Sequence, residues 1–342
     1  MNALLADKSA PLYGRITAQI ELDHWDFEDL LDVFRSHNLE APSAWLTLWT
    51  FFEGVPKFYH DAYEQNLFQV PTEQLAPELL KRMFMRSSCP LSEEADTWFL
   101  RELRGKAVSI LHYLADHPGC SHADLQTALT DAEDTTPLGT HITRLVNNYH
   151  MLSRLQPVFS NANSRNARYY IADNFLEAWL AVAKPARETA RLKPDDKVLA
   201  FAMPRLWGLE GFAFEKLIRQ LHLETSRKGK GDFELTELKL GYWNRPRDVN
   251  KSIEIDLVAL DSSNKKIRFG SCKRAGDAHD TRALAKFDEH VSAFLEAREH
   301  RHIADWKIEK MVFSPEFTSG QRTYLKNLNY SCMDLADYSK LF

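Results

Sequence analysis

Cysteine is scarce in this 342-residue chain: Cys89, Cys120, Cys272 and Cys332 stand far apart, and no two form a C-x-x-C pair. That spacing disfavours a structural zinc site and gives no disulfide framework, so the thiols are expected to be reduced. No run of 18 or more apolar residues occurs, which leaves no candidate membrane helix. Met1 is followed by Asn2 and Asp7 instead of a basic stretch and an apolar core. A secretory leader is therefore not recognisable, and the expectation is a cytoplasmic protein without a membrane partner.

Hydrophobic residues make up 44% of the chain and charged ones 27%, ordinary values for two or three cored domains. The net charge of −5 hides a gradient. Residues 1–100 carry 7 Lys/Arg against 16 Asp/Glu, residues 101–200 carry 12 against 11, and residues 201–342 carry 24 against 21. An acidic first third joined to two near-neutral thirds implies domains with different partners, and the overall charge does not exclude nucleic acid.

Apolar spacing divides the chain further. Residues 1–100 read as an acidic helical unit: an extended piece over Ile16–Leu22, a helix after Asp26, a second over Trp45–Phe52, and others over 59–66 and 73–86. Trp25, Trp45, Trp49, Phe51, Phe52, Phe58 and Tyr59 are expected in its core. Residues 101–183 give a helix from about Glu93 to Leu114 and a short one over Ala123–Leu129, with Ser121 as N-cap. A third helix over Leu138–Tyr149 follows, then strands over Leu152–Phe159 and Arg168–Ile171. This is the element order of a winged helix-turn-helix. Between Thr135 and Ala172 there is no Asp or Glu. A phosphate backbone selects such segregation, which makes duplex DNA the expected partner and Arg144, Asn147, Arg154, Arg165 and Arg168 its candidate contacts. The polar stretch 184–206 reads as a linker or connecting helix to an α/β unit over 207–342.

In that last unit Ile253-Glu254-Ile255-Asp256-Leu257-Val258 alternates acid and apolar residues, so Glu254 and Asp256 project from one strand face. A turn over Asp261–Lys265 returns the chain into Ile267–Lys273, where Ser271 and Lys273 share a face by the same arithmetic. Glu215 arrives from the preceding helix. Acids that hold Mg²⁺ beside a lysine are the parts of metal-assisted phosphodiester hydrolysis. The set resembles the restriction-endonuclease-like fold, with Glu215, Asp256 and Lys273 as catalytic candidates and Asp256 and Glu254 as metal ligands. Ser271 occupies the place of that family's second strand acid, and serine is a poor Mg²⁺ ligand.

The resemblance reaches across the chain. Pro11-Leu12-Tyr13-Gly14-Arg15, Gly54-Val55-Pro56-Lys57-Phe58-Tyr59, Arg168–Leu176, Phe214-Glu215, Gly241-Tyr242-Trp243, Glu254-Ile255-Asp256 and Phe269–Lys273 occur in order. Together they resemble the archaeal-type P-loop ATPases, whose AAA-like module precedes a winged helix and a restriction-endonuclease-like domain. In those ATPases the phosphate-binding loop lies upstream of the Leu-Tyr-Gly-Arg segment, and no G-x-x-x-x-G-K-[ST] exists here. Lys228-Gly229-Lys230-Gly231 has the wrong spacing and reads as a mobile loop. The resemblance thus implies a lid remnant over 1–100, no nucleotide site and no ATP hydrolysis by this chain alone, the chain being a fragment, the product of a displaced start, or a remnant that works with a separate ATPase subunit. The leading expectation is a DNA-binding protein with a degenerate nuclease-like domain. The alternatives are a Mg²⁺-dependent endonuclease in which Glu254 supplies the missing acid, and a non-catalytic interaction subunit.

Overall fold

Residues 22–101, 103–129, 136–161, 166–244 and 251–342 are described by the computed structural model. The Pro11–Arg15 motif, most of the extended piece before Asp23, and Arg165 lie outside these residues.

Asp26 and Asp29 cap each other's backbone N–H groups at 3.2 Å and start α1 (Phe27–Ser36), whose Phe27, Leu30, Leu31 and Phe34 are buried at helical spacing. Proline at the first helical position opens α2 (Pro42–Phe52) and α3 (Pro56–Glu64), and α4 (Thr72–Met83) follows. The expected core aromatics from Trp45 to Tyr59 are all buried, with Phe34 stacked on Trp45 at 5.7 Å between ring centroids. The helix expected over 93–114 is interrupted. Gly105 adopts φ +55°, and only after it does α5 (Lys106–Asp116) begin.

A second layer follows: β1 (Cys120–Ser121), α6 (His122–Ala128), α7 (Leu138–Asn147), β2 (Leu152–Leu155) and β3 (Arg168–Ile171). The strands form an antiparallel sheet in the order β1-β3-β2. The chain leaves β2 four residues earlier than its apolar pattern suggests, because Val158 and Phe159 are drawn to the last third of the protein. The Val158 N–H donates to the Gly241 carbonyl at 2.8 Å, and the Phe159 ring meets Phe294 and His302 at 6.2 and 4.8 Å.

The stretch 184–206 takes the connecting-helix form. After α8 (Asn174–Ala178) and a buried helical turn over Trp179–Ala183, it forms α9 (Lys184–Ala190) and the opening of α10 (Asp195–Arg227), a helix of 33 residues. Polar residues dominate the sequence there, yet Val198, Ala202 and Leu206 recur every four residues and are buried. Lys228 and Lys230, expected in a mobile loop, are held down: Lys228 bridges Asp26 and Glu28 at 2.6 Å each, and Lys230 reaches Glu28 at 3.0 Å.

The last third is α/β. β4 (Tyr242–Trp243) pairs antiparallel with β5 (Glu254–Ile255). A four-stranded sheet contains β6 (Leu257–Asp261), β7 (Lys266–Cys272), β8 (Lys307–Phe313) and β9 (Ser331–Met333) in that order. β6 and β7 are antiparallel, and the later pairs parallel. Helix α11 (Thr281–Glu296) connects β7 to β8, α12 (Ser319–Asn327) connects β8 to β9, and α13 (Leu335–Ser339) ends the chain. One apolar core runs from Phe27 through α10 to Tyr338. Among the described residues no helix is long and apolar enough to cross a membrane.

Gly270 marks the tightest point of the sheet: a Cβ there would meet Phe313 Cε2 at 2.7 Å and Leu257 Cβ at 2.9 Å. Gly270→Ala is therefore expected to cost about 1–3 kcal/mol through overpacking. A urea midpoint equal to that of the parent would refute this.

Candidate functional site

The site is built on a bend. The chain runs through β5, turns at Asp256 and enters β6, so Asp256 lies between two ladders and its carbonyl is open to side-chain donors. Arg219 of α10 takes that carbonyl with two N–H groups, from Nε at 3.0 Å and Nη2 at 2.8 Å. The Asp256 carboxylate accepts the Cys272 N–H at 2.8 Å and lies 3.8 Å from Lys273 Nζ. Glu215 stands one helical turn before Arg219, whose guanidinium reaches its carboxyl at 3.4 Å. Helix α10 thus brings Glu215 to the Asp256–Lys273 pair through Arg219, a residue that sequence reasoning missed. Its only sequence signal is the spacing of four from Glu215.

Burial raises both acids. Asp256 is pushed up by burial and drawn back by Lys273, the Cys272 N–H and Arg219. Glu215 is pushed up to about 8, first by burial and then by the negative charge of Asp256. Both effects favour the protonated form of Glu215, against which an arriving cation would have to compete.

Two expected members of the set are placed differently. Ser271 is buried on β7, two residues before Lys273. Glu254 turns to the helix-and-hairpin layer, where its carboxylate pairs with the Arg168 guanidinium, itself 4.9 Å above the Trp243 ring. Sequence alone could not show a contact between residues 86 positions apart. Among the described residues, no three or more His, Cys, Asp or Glu side chains are grouped so as to hold a metal ion. Glu215 and Asp256 leave two carboxyls as candidate donors, and the Asp256 carboxylate is already engaged by a backbone N–H.

The candidate DNA contacts separate. Arg144 and Asn147 are exposed on α7, and Arg154 is exposed on β2. Arg168 is committed to Glu254 and Trp243, which removes it from a free cationic surface. Arg165 lies outside the described residues.

Residues 179–284 match the DUF234 family, described as Archaea bacterial proteins of unknown function. That segment contains Glu215, Arg219, Asp256 and Lys273. An uncharacterized protein of the archaeon Methanocaldococcus jannaschii is 24% identical over 289 residues, covering 80% of this chain and 57% of its own length. The chain therefore spans little more than half of that relative. No solved structure matches it.

Proposed function

We propose that the chain is a DNA-binding protein of archaeal-type ATPase descent, with a winged helix over 101–183 and a nuclease-like unit whose metal site is degenerate. The observation that carries the reading is the convergence of Glu215, Asp256 and Lys273 on the bent strand, with Ser271 in place of a further acid and Glu254 turned away to Arg168. The acid-free segment from Thr135 to Ala172, with Arg144 and Asn147 exposed on α7, supplies the electrostatic half. An ATPase partner would have to be a separate subunit or another part of a longer chain.

Duplex affinity measured by fluorescence anisotropy is expected to fall steeply with salt. Arg144→Ala with Arg165→Ala should flatten that dependence by about one unit of slope for each phosphate left without its arginine. Binding indifferent to both substitutions would favour an interaction subunit instead. Plasmid nicking with Mg²⁺ or Mn²⁺ is expected to be absent. Nicking that disappears in Asp256→Ala would establish the endonuclease reading, with Glu254 released from Arg168 to complete the site.

A further inference from the structure

A cavity of about 510 Å³ lies between the β2–β3 hairpin, α10 and the segment before β4. Its wall includes Glu215 but neither Asp256 nor Lys273, so it adjoins the acid site without being part of it. The volume is that of a pocket for one small organic molecule. The wall is mostly apolar, with the aromatic faces of Tyr170 and Trp243 beside Leu240. Glu177 of α8, only 8% exposed, lines the same wall, as does Lys216, whose charge pulls against its burial. Arg154, exposed on β2, and Lys239, whose ammonium donates to the Ser160 carbonyl at 2.7 Å, bring cationic charge to the same wall.

We propose that this cavity binds a single nucleotide, its base between Tyr170, Leu240 and Trp243 with a polar edge on Glu177, and its phosphate on Arg154 and Lys239. Each part of the ligand follows from a part of the wall. Aromatic and apolar faces take a flat ring. A carboxyl that holds its proton both donates and accepts, as a base edge carrying an N–H beside a carbonyl requires, and burial keeps Glu177 in that form up to a pKa of about 7. The outer cations take the phosphate, and Lys216 and Arg219 on the same wall disfavour a cationic ligand. A free mononucleotide and an unpaired nucleotide of a strand present this same chemistry. Only the second source rests on the DNA-binding reading.

The test uses the full chain and calorimetric titration with each of the four deoxynucleoside monophosphates, together with a duplex carrying a single-stranded overhang against its blunt counterpart. A monophosphate is expected to bind below about 1 mM, or the overhang to be preferred by about tenfold. Glu177→Leu should abolish either effect while raising the melting temperature, because it removes a buried acid from an apolar wall. Glu177→Gln, which keeps a donor and an acceptor, should retain binding. Loss of blunt-duplex binding with monophosphate binding intact would overturn the DNA-binding reading and support this one. Failure of every monophosphate and no preference for the overhang would overturn this one, as would unaltered binding in Glu177→Leu or a lowered melting temperature in that variant.

Discussion

Lys216→Met is expected to destabilise the protein by about 3 kcal/mol, the lower end of the cost of stripping a buried carboxylate of its cation, since the lysine keeps some contact with solvent. The ammonium donates to the Ala172 carbonyl at 2.6 Å and to Asn174 Oδ1 at 2.7 Å, and pairs with Glu53 at 3.1 Å. Burial pushes the Glu53 carboxyl up, yet Lys216 first and then His24 and the Asn174 N–H outweigh it and hold the group at about 2. One lysine on α10 thereby joins the end of α2 to the start of α8. Methionine keeps an unbranched apolar stem of similar length and removes the ammonium, with its charge, its two hydrogen bonds and its place 5.8 Å from the Trp49 ring centroid. Urea unfolding of the single variant, and of Lys216→Met with Glu53→Gln, provides the check. The second change should recover part of the loss, and a single-variant cost under about 1 kcal/mol would show that water replaces the lysine.

Stability is expected to decline as the pH rises from about 4.5 to 7, by about 3 kcal/mol from Glu177 alone. In the folded chain burial pushes this carboxyl up to about 7, against the smaller opposing pull of Lys216. Across that window the unfolded chain has released the proton and the folded chain retains it, so the unfolded state binds fewer protons and gains on alkalinisation. Glu215, held at about 8, extends the decline in the same direction. Glu53 acts at the other end: its stabilisation is complete above about 4.5 and is lost as the pH falls toward 2. A maximum between these limbs, near pH 5, follows. Melting temperatures across the range test it, and a melting temperature that climbs steadily from pH 5 to 7 would refute the assignment of Glu177.

Much of this was legible locally. Asp26, Ser121 and Asp173 all cap helices by side-chain hydrogen bonds, as short polar side chains before an apolar period should. The alternation around Asp256 and Lys273 found two strands that pair, and Glu215 was found from helical spacing before them. What failed was judged by polarity. Lys193, Asp195, Asp196 and Lys197 gave 184–206 the polarity of a linker, although Lys193 only precedes α10 and the other three decorate its first turn. The Arg168–Glu254 pair and the Lys216 network were beyond reach for another reason: each joins residues that the chain separates by 40 or more positions, and nothing in either local sequence specifies the partner.

Helix α10 also sets a rotational phase for the molecule. In succession along it, Arg205 donates to the Ala181 carbonyl, Glu210 receives Thr47 and Arg274, Lys216 holds Glu53, Arg219 holds Asp256, and Glu224 receives the Phe27 N–H. These partners lie at different angles around one axis. Inserting or deleting a single residue near Gly211 would turn everything downstream by about 100° and shift it by about 1.5 Å, so that no two of those interactions on opposite sides of the change could be kept. Length variation among related chains should therefore be excluded from residues 205–224 and collect in loops, a pattern that an alignment can read without any assay.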